Sequence, residues 1–274
     1  MELLRIDLRN IIKSRLSGWK RKLIPGFIFS PLEKLIHQKE LNRMLESTYP
    51  AEGYQFADAI YSHLNLEIET KGLELLPDNK RYIFASNHPL GGLDGIGLIK
   101  ILGKHYGDDR LRVVVNDMLM HIEPLRNIFL PINKYGSQGR TSAQTINEAY
   151  ASSTKQIVMF PAGLVSRLHP DGSIKDLNWQ KSFVVKAIEY NREIVPVRFE
   201  GLNRMRFYKL AYLRRKLKIG LNLEQALLPA ELCAAKGKKY RVIFGSPVNP
   251  TLLKNQGMSI PEITAYIRTI SDSL

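Results

Sequence analysis

Short apolar runs alternate with helix-spaced apolar positions along most of this chain. From Arg81 onward the runs are Tyr82-Ile83-Phe84-Ala85, Arg112-Val113-Val114-Val115, Gln156-Ile157-Val158-Met159-Phe160, Ile194-Val195-Pro196-Val197 and Tyr240-Arg241-Val242-Ile243-Phe244. Between them the pattern predicts helices near residues 95–104, 142–151, 180–190 and 204–218. Strands alternating with helices predict an α/β fold with a central mixed, largely parallel sheet flanked by helices. Upstream, Leu66-Glu67-Ile68-Glu69-Thr70 alternates like a half-buried strand, Pro77-Asp78-Asn79 marks a turn, and residues 54–64 read as a helix. Ser30-Pro31-Leu32-Glu33 combines a serine cap, a proline at the first helical position and a capping-box glutamate, which predicts a helix from there to about Glu46. Ser259-Ile260-Pro261-Glu262 starts a final helix by the same logic.

At the N-terminus Leu4, Leu8, Ile11, Ile12 and Leu16 recur at helical spacing, bordered by Arg5, Arg9 and Lys13, and the continuation adds Trp19 and three more cations. This predicts a basic amphipathic helix suited to the headgroup boundary of a membrane. The same stripe equally suits docking on the protein's own core. The chain therefore divides into an N-terminal helical, membrane-associating region over residues 1–64 and an α/β domain over residues 65–274. It carries no internal repeat or low-complexity tract.

Composition narrows the partners. A chain of 274 residues, 44% hydrophobic and 24% charged, can bury a large core and does not read as disordered. Its formal charge of +14 attracts polyanions, either an anionic bilayer or nucleic acid. The single cysteine, Cys233, excludes an intrachain disulfide, and no Cys/His run offers a structural zinc site. No metal and no cofactor are expected, and a reducing, cytoplasmic setting fits best. Without a signal-peptide core, or an apolar run of the roughly 18–20 residues that span a bilayer, the expected place is peripheral, on the cytoplasmic face of the membrane.

Candidate chemistry lies in Asn87-His88-Pro89-Leu90-Gly91-Gly92-Leu93-Asp94. The segment follows the strand at 82–86, so His88 is expected on a loop at a strand's C-terminal end, where α/β folds keep their sites. Asp94 falls at the start of the next helix, where the dipole favours a carboxylate. A carboxylate on one imidazole nitrogen fixes the tautomer and frees the other nitrogen as a general base. Helix-capping aspartates are common, so the residues alone also allow Asp94 to be a plain cap and His88 a turn residue.

Asn87-His88 with Asp94 resembles the first signature of the glycerol-phosphate acyltransferase superfamily. Phe129-Leu130-Pro131-Ile132-Asn133-Lys134 sits where that family has its second block, Phe160-Pro161-Ala162-Gly163 with Ser166-Arg167 resembles the third, and Ile194-Val195-Pro196-Val197 the fourth. The resemblance runs over residues 66–248. The end of the second block departs from the family's usual aspartate-arginine type, and two further departures matter: five residues, not four, separate His88 from Asp94, and Ala162 replaces the family's glutamate in the block implicated in holding a phosphorylated acceptor. The extended Gly-Gly form resembles the hemolysin-like branch that O-acylates lyso-aminolipids of the ornithine and glycine type.

That resemblance implies His88 and Asp94 as the catalytic pair, with Asn87, Lys134, Phe160, Pro161, Gly163, Ser166 and Arg167 around the substrate. Lys134 and Arg167 would meet an acidic headgroup or the donor's phosphopantetheine. It further implies direct transfer, in which the hydroxyl of a lysolipid's 3-hydroxyacyl chain gives its proton to His88 and attacks an acyl thioester. The thioester is carried by acyl carrier protein or coenzyme A. No Gly-x-Ser-x-Gly elbow offers a covalent nucleophile, and backbone donors near the glycine turn are the expected oxyanion hole. Residues 204–218 interleave cations with aromatic and aliphatic residues, which suits a membrane surface or an acidic carrier protein. No nucleic-acid partner is expected, since no RNA- or DNA-binding signature accompanies the charge. Two alternatives stay open: an acyltransferase that makes phosphatidic acid from 1-acylglycerol-3-phosphate, and a non-enzymatic membrane or nucleic-acid binding protein.

Overall fold

The computed structural model describes residues 5–10, 26–132, 140–218 and 223–274. Most of the predicted N-terminal amphipathic helix, including Ile11, Ile12, Lys13 and Leu16, and also Lys134, lie outside the described residues. Of the cationic border, Arg5 pairs with Glu46 at 3.2 Å and Arg9 with Glu33 at 2.6 Å, so these two arginines face the protein itself.

The helix expected from Ser30 to about Glu46 is instead two helices. α1 (Gly26–Leu35) begins ahead of Ser30 and carries Pro31 inside it. Phe29, in the turn before the expected cap, is buried, which favours extending the helix ahead of Ser30 and offsets part of the cost of the interior hydrogen bond that a proline cannot donate. The break falls at His37, which adopts a left-handed conformation before α2 (Gln38–Thr48). The helix expected over 54–64 is α3 (Gly53–His63).

A seven-stranded sheet follows: β1 (Glu67–Lys71), β2 (Tyr82–Ser86), β3 (Leu111–Asn116), β4 (Phe129–Ile132), β5 (Gln156–Met159), β8 (Glu193–Glu200) and β9 (Lys239–Phe244). The spatial order is β1-β9-β8-β2-β5-β3-β4. Every neighbouring pair is parallel except β8 with β9. β4 holds Pro131, which an edge strand tolerates because one side of its backbone has no ladder to complete. A separate short hairpin pairs β6 (Arg167–Leu168) with β7 (Ile174–Lys175).

Both faces of the sheet are covered, which is why its inner strands read as continuous apolar runs. Along β2, Tyr82 and Phe84 enter one apolar cluster with α2, α3 and α4 (Gly92–Tyr106), through Met44, Phe56, Ile60, Leu98 and Leu102. Ile83 and Ala85 point the other way, toward α6 (Ser182–Glu189) and α10 (Ile260–Ser273), meeting Phe183, Ile263 and Ile267. The predicted cap of α10 forms as a full box, with the Ser259 Oγ accepting from the Glu262 N–H. Further α-helices among the described residues are α5 (Arg140–Ala151), α7 (Met205–Lys216), α8 (Leu228–Cys233) and α9 (Pro250–Asn255). α4 approaches the sheet closely at Gly97, where a methyl group would collide with the Tyr61 hydroxyl and the Phe199 ring.

Candidate active site

β2 is the middle strand, flanked by β8 and β5 in parallel register, with Ser86 opposite Val197 and Ala85 opposite Met159. The loops leaving β2 and β5 therefore emerge side by side at the C-terminal edge. His88 lies two residues past β2 and Phe160 one residue past β5, and their rings stack with centroids 4.1 Å apart at 29°. Asn87 ties the loop to β8: its Nδ2 donates to the Phe199 carbonyl at 3.0 Å and its Oδ1 accepts the Phe199 N–H at 2.7 Å.

Gly91 lets the loop turn back. Its φ of 84° lies in the region that favours glycine, and a Cβ there would press on Leu228 and Val165. The return puts Asp94 in the first turn of α4. Its Oδ2 lies 3.0 Å from His88 Nδ1 and accepts the N–H groups of Leu90 at 2.8 Å and Gly91 at 3.2 Å, while Oδ1 accepts that of Gly95 at 2.8 Å. Donors converge on Oδ2, so the hydrogen of the His88–Asp94 bond sits on Nδ1 and Nε2 keeps its lone pair. Nε2 has no hydrogen-bond partner among the described residues, and the His88 side chain is 17% exposed while that of Asp94 is 0% exposed. The geometry is that of a base with its orienter. Burial pushes His88 down, but the Asp94 charge, the bond to Asp94 and the Asp176 charge outweigh burial and the opposing Arg167, and its pKa ends above the usual value. The N–H groups of Leu90 and Gly91 are spent on Asp94, so these two donors of the glycine turn are not free to hold an oxyanion.

Several residues that hold the loop carried no mark in the sequence. Asp176 is buried, and its Oδ1 accepts the His88 backbone N–H at 3.2 Å and the Ser166 Oγ–H at 2.6 Å. Its Oδ2 accepts the Trp179 indole N–H at 3.0 Å. Burial pushes Asp176 above the usual carboxylate range, against these bonds, which favour its charged form. Ser166 closes the circuit by donating its backbone N–H to the His88 carbonyl at 2.8 Å. From the other side Tyr208 OH and Asn203 Nδ2 both donate to the Pro89 carbonyl at 3.2 Å. His88 is thus clamped through its backbone on both sides, and its ring position does not depend on the ring's own contacts alone.

Of the other residues singled out from the sequence, Pro161 and Gly163 form the tight turn after β5. Pro161 accepts the Gln180 N–H at 3.0 Å, and Gly163, at φ 64°, donates to the Phe160 carbonyl at 2.9 Å. Ala162 is buried beneath them. Arg167 faces the interior rather than solvent: it is 1% exposed, with Nη1 on the Val165 carbonyl at 2.5 Å and Nη2 on Glu224 at 2.9 Å. Glu224 also receives Arg214 Nε at 2.7 Å. Removing one partner of a buried ion pair strands the other, so Arg167→Ala is expected to lose about 3 kcal/mol in urea unfolding, near the low end because Arg214 still serves Glu224. In a Glu224→Gln background the same substitution should cost less. A variant that keeps its stability and loses only acceptor affinity would return Arg167 to the substrate site.

A family model described as Acyltransferase matches residues 12–272. Over 243 residues the chain is 43% identical to a protein of Phocaeicola vulgatus named lyso-glycine lipid O-acyltransferase, covering 89% of this chain and 86% of that one. A protein of the same name from Bacteroides thetaiotaomicron is 40% identical over 243 residues, with 89% and 88% covered. Among solved structures, the crystal structure of the 1-acyl-sn-glycerophosphate acyltransferase PlsC from Thermotoga maritima aligns at a TM-score of 0.47 and 14% identity, over 96% of this chain and 83% of its own.

Proposed function

The chain belongs to the acyltransferase family and is an acyltransferase, and from that premise we propose that it transfers a fatty acyl group from a thioester to the hydroxyl of a lyso-glycine lipid. The observation that carries the chemistry is the 3.0 Å contact of His88 Nδ1 with a fully buried Asp94, with Nε2 unpartnered among the described residues and beside the strand ends. Two features support the acceptor. The relatives that share 40–43% identity over most of both chains bear that name. Ala162 also stands where the resembled family has a glutamate, which suits a headgroup that ends in a carboxylate and has no phosphate.

In this reading the hydroxyl of the acceptor's 3-hydroxyacyl chain donates its proton to His88 Nε2 as its oxygen attacks the thioester carbonyl. The tetrahedral intermediate then collapses, the carbon–sulfur bond breaks, and the leaving thiolate takes the proton from the imidazolium. Asp94 stabilises that imidazolium while it exists. The donor is the thioester of acyl carrier protein, whose acidic surface complements a chain of formal charge +14; a coenzyme A thioester would enter the same step. No helix among the described residues is long and apolar enough to cross a membrane. We place the enzyme peripherally at the cytoplasmic face, where its lipid acceptor resides.

The base must be unprotonated to act, so kcat/KM should rise with pH through the pKa of free His88. That value lies above the ordinary histidine value of about 6.5, because the charges of Asp94 and Asp176 outweigh burial. A pH–rate profile with an acid limb centred above 6.5 is the expected result; a limb centred below it would mean that burial dominates.

The acceptor is tested by offering labelled acyl carrier protein together with equal amounts of lyso-glycine lipid and lysophosphatidate. Label should enter glycine lipid preferentially. Preferential labelling of phosphatidate would keep the chemistry and replace the acceptor.

A further inference from the structure

α7 presents two unlike faces. Phe207, Tyr208 and Ala211 are buried, and Tyr208 and Asn203 bind the Pro89 carbonyl next to His88. The outward face mixes apolar side chains with cations. Met205, Tyr212 and Leu213 are exposed, as are Leu202 and Leu217 just beyond the helix ends, with Leu213 at 52% and Leu217 at 60%. Five of the thirteen large apolar side chains exposed among the described residues thus fall within residues 202–218. The same stretch holds seven cations and no acid. Arg204 and Arg206 bind Glu231, and Arg214 binds Glu224. Lys209, Lys216 and Lys218 are exposed and have no ion pair among the described residues.

A cluster of this kind marks an interaction surface, since apolar side chains scattered at random would not gather on one helix. Its pattern discriminates between partners. A protein–protein interface concentrates apolar residues at a centre and charges at a rim. Here lysines and apolar residues are interspersed along one exposed helix face, as they are when the apolar groups enter the acyl boundary and the ammonium groups stay among the phosphates.

We propose that α7 is the seat of the enzyme on an anionic bilayer, with Met205, Leu213 and Leu217 in the acyl–headgroup boundary and Lys209, Lys216 and Lys218 at lipid phosphates. The proposal rests on the reading that the acceptor is a lipid. Because the inner face of the same helix is bonded to Pro89, seating α7 fixes the height of His88 above the membrane. A lysolipid acceptor could then reach the base without leaving the bilayer completely.

The test places an environment-sensitive fluorophore on a Leu213→Cys variant, with Leu217→Cys as the second position should the first perturb folding. The native Cys233 is buried, and burial pushes its thiol up to about 11, so it competes poorly for the label. Vesicles of phosphatidylcholine with phosphatidylglycerol should shift the emission to the blue, phosphatidylcholine alone should do so weakly, and high salt should reverse the shift. Adding Lys209→Ala and Lys216→Ala should weaken the apparent vesicle affinity about 30-fold. Unchanged emission while the protein co-sediments with the vesicles would overturn the proposal, because another segment would then be the seat. A shift with acyl carrier protein and none with vesicles would overturn it in favour of a carrier-docking surface. Emission is read without turnover, so failure to acylate lyso-glycine lipid leaves this result independent of the acceptor's identity.

Discussion

Replacing His88 with alanine is expected to lower kcat about 10³-fold, within the 10²- to 10⁴-fold worth of a positioned general base, while leaving the fold intact. The backbone bonds of residue 88, from its N–H to Asp176 and from the Ser166 N–H to its carbonyl, do not need the imidazole. Asp94 keeps three backbone N–H donors after the ring is gone, so its buried carboxylate is not stranded. Circular dichroism and the urea midpoint should therefore stay close to wild type while steady-state transfer collapses. A large loss of stability in parallel with activity would mean that His88 is a packing residue, through its stack on Phe160.

Asp94→Asn should be the next most damaging change, lowering kcat about 10²-fold or more, and its signature is in the pH profile. The amide can keep its oxygen toward Leu90, Gly91 and His88 and turn its nitrogen toward Gly95, so only the Gly95 N–H loses its acceptor. The tautomer survives but the charge does not. Without the Asp94 charge, burial is opposed only by the Asp176 charge and the amide's neutral hydrogen bond, and the acid limb should move to lower pH than in wild type. A slower enzyme whose limb stays in place would show that Asp94 orients His88 without stabilising its charged form.

What the sequence disclosed, and what it hid, follows from the range of each signal. β2 was legible because burial on both faces leaves an unbroken apolar run, and α10 was legible because Ser259 and Glu262 lie three residues apart. The start of α1 was not, since the cap signal at Ser30 contains no information about the burial of Phe29. His88 and Asp94 were readable as a pair because six positions of chain hold both. Arg167 read as a cation for the acceptor headgroup or the donor's phosphopantetheine because the acid that binds it, Glu224, lies 57 positions away. Asp176 went unmarked for the same reason: the N–H it accepts belongs to a residue 88 positions earlier. Only the tertiary fold makes such partners neighbours. The enzyme class rested on blocks in order along the chain, and the matches over most of its length bear that out.

The most direct measurement is a thin-layer assay of labelled acyl transfer from acyl carrier protein to lyso-glycine lipid, run side by side with wild type and His88→Ala at matched folded concentration. Label should appear in glycine lipid with wild type and fall about 10³-fold with the variant. Equal transfer by both proteins would contradict His88 as the base, and no transfer by wild type would contradict the assigned reaction.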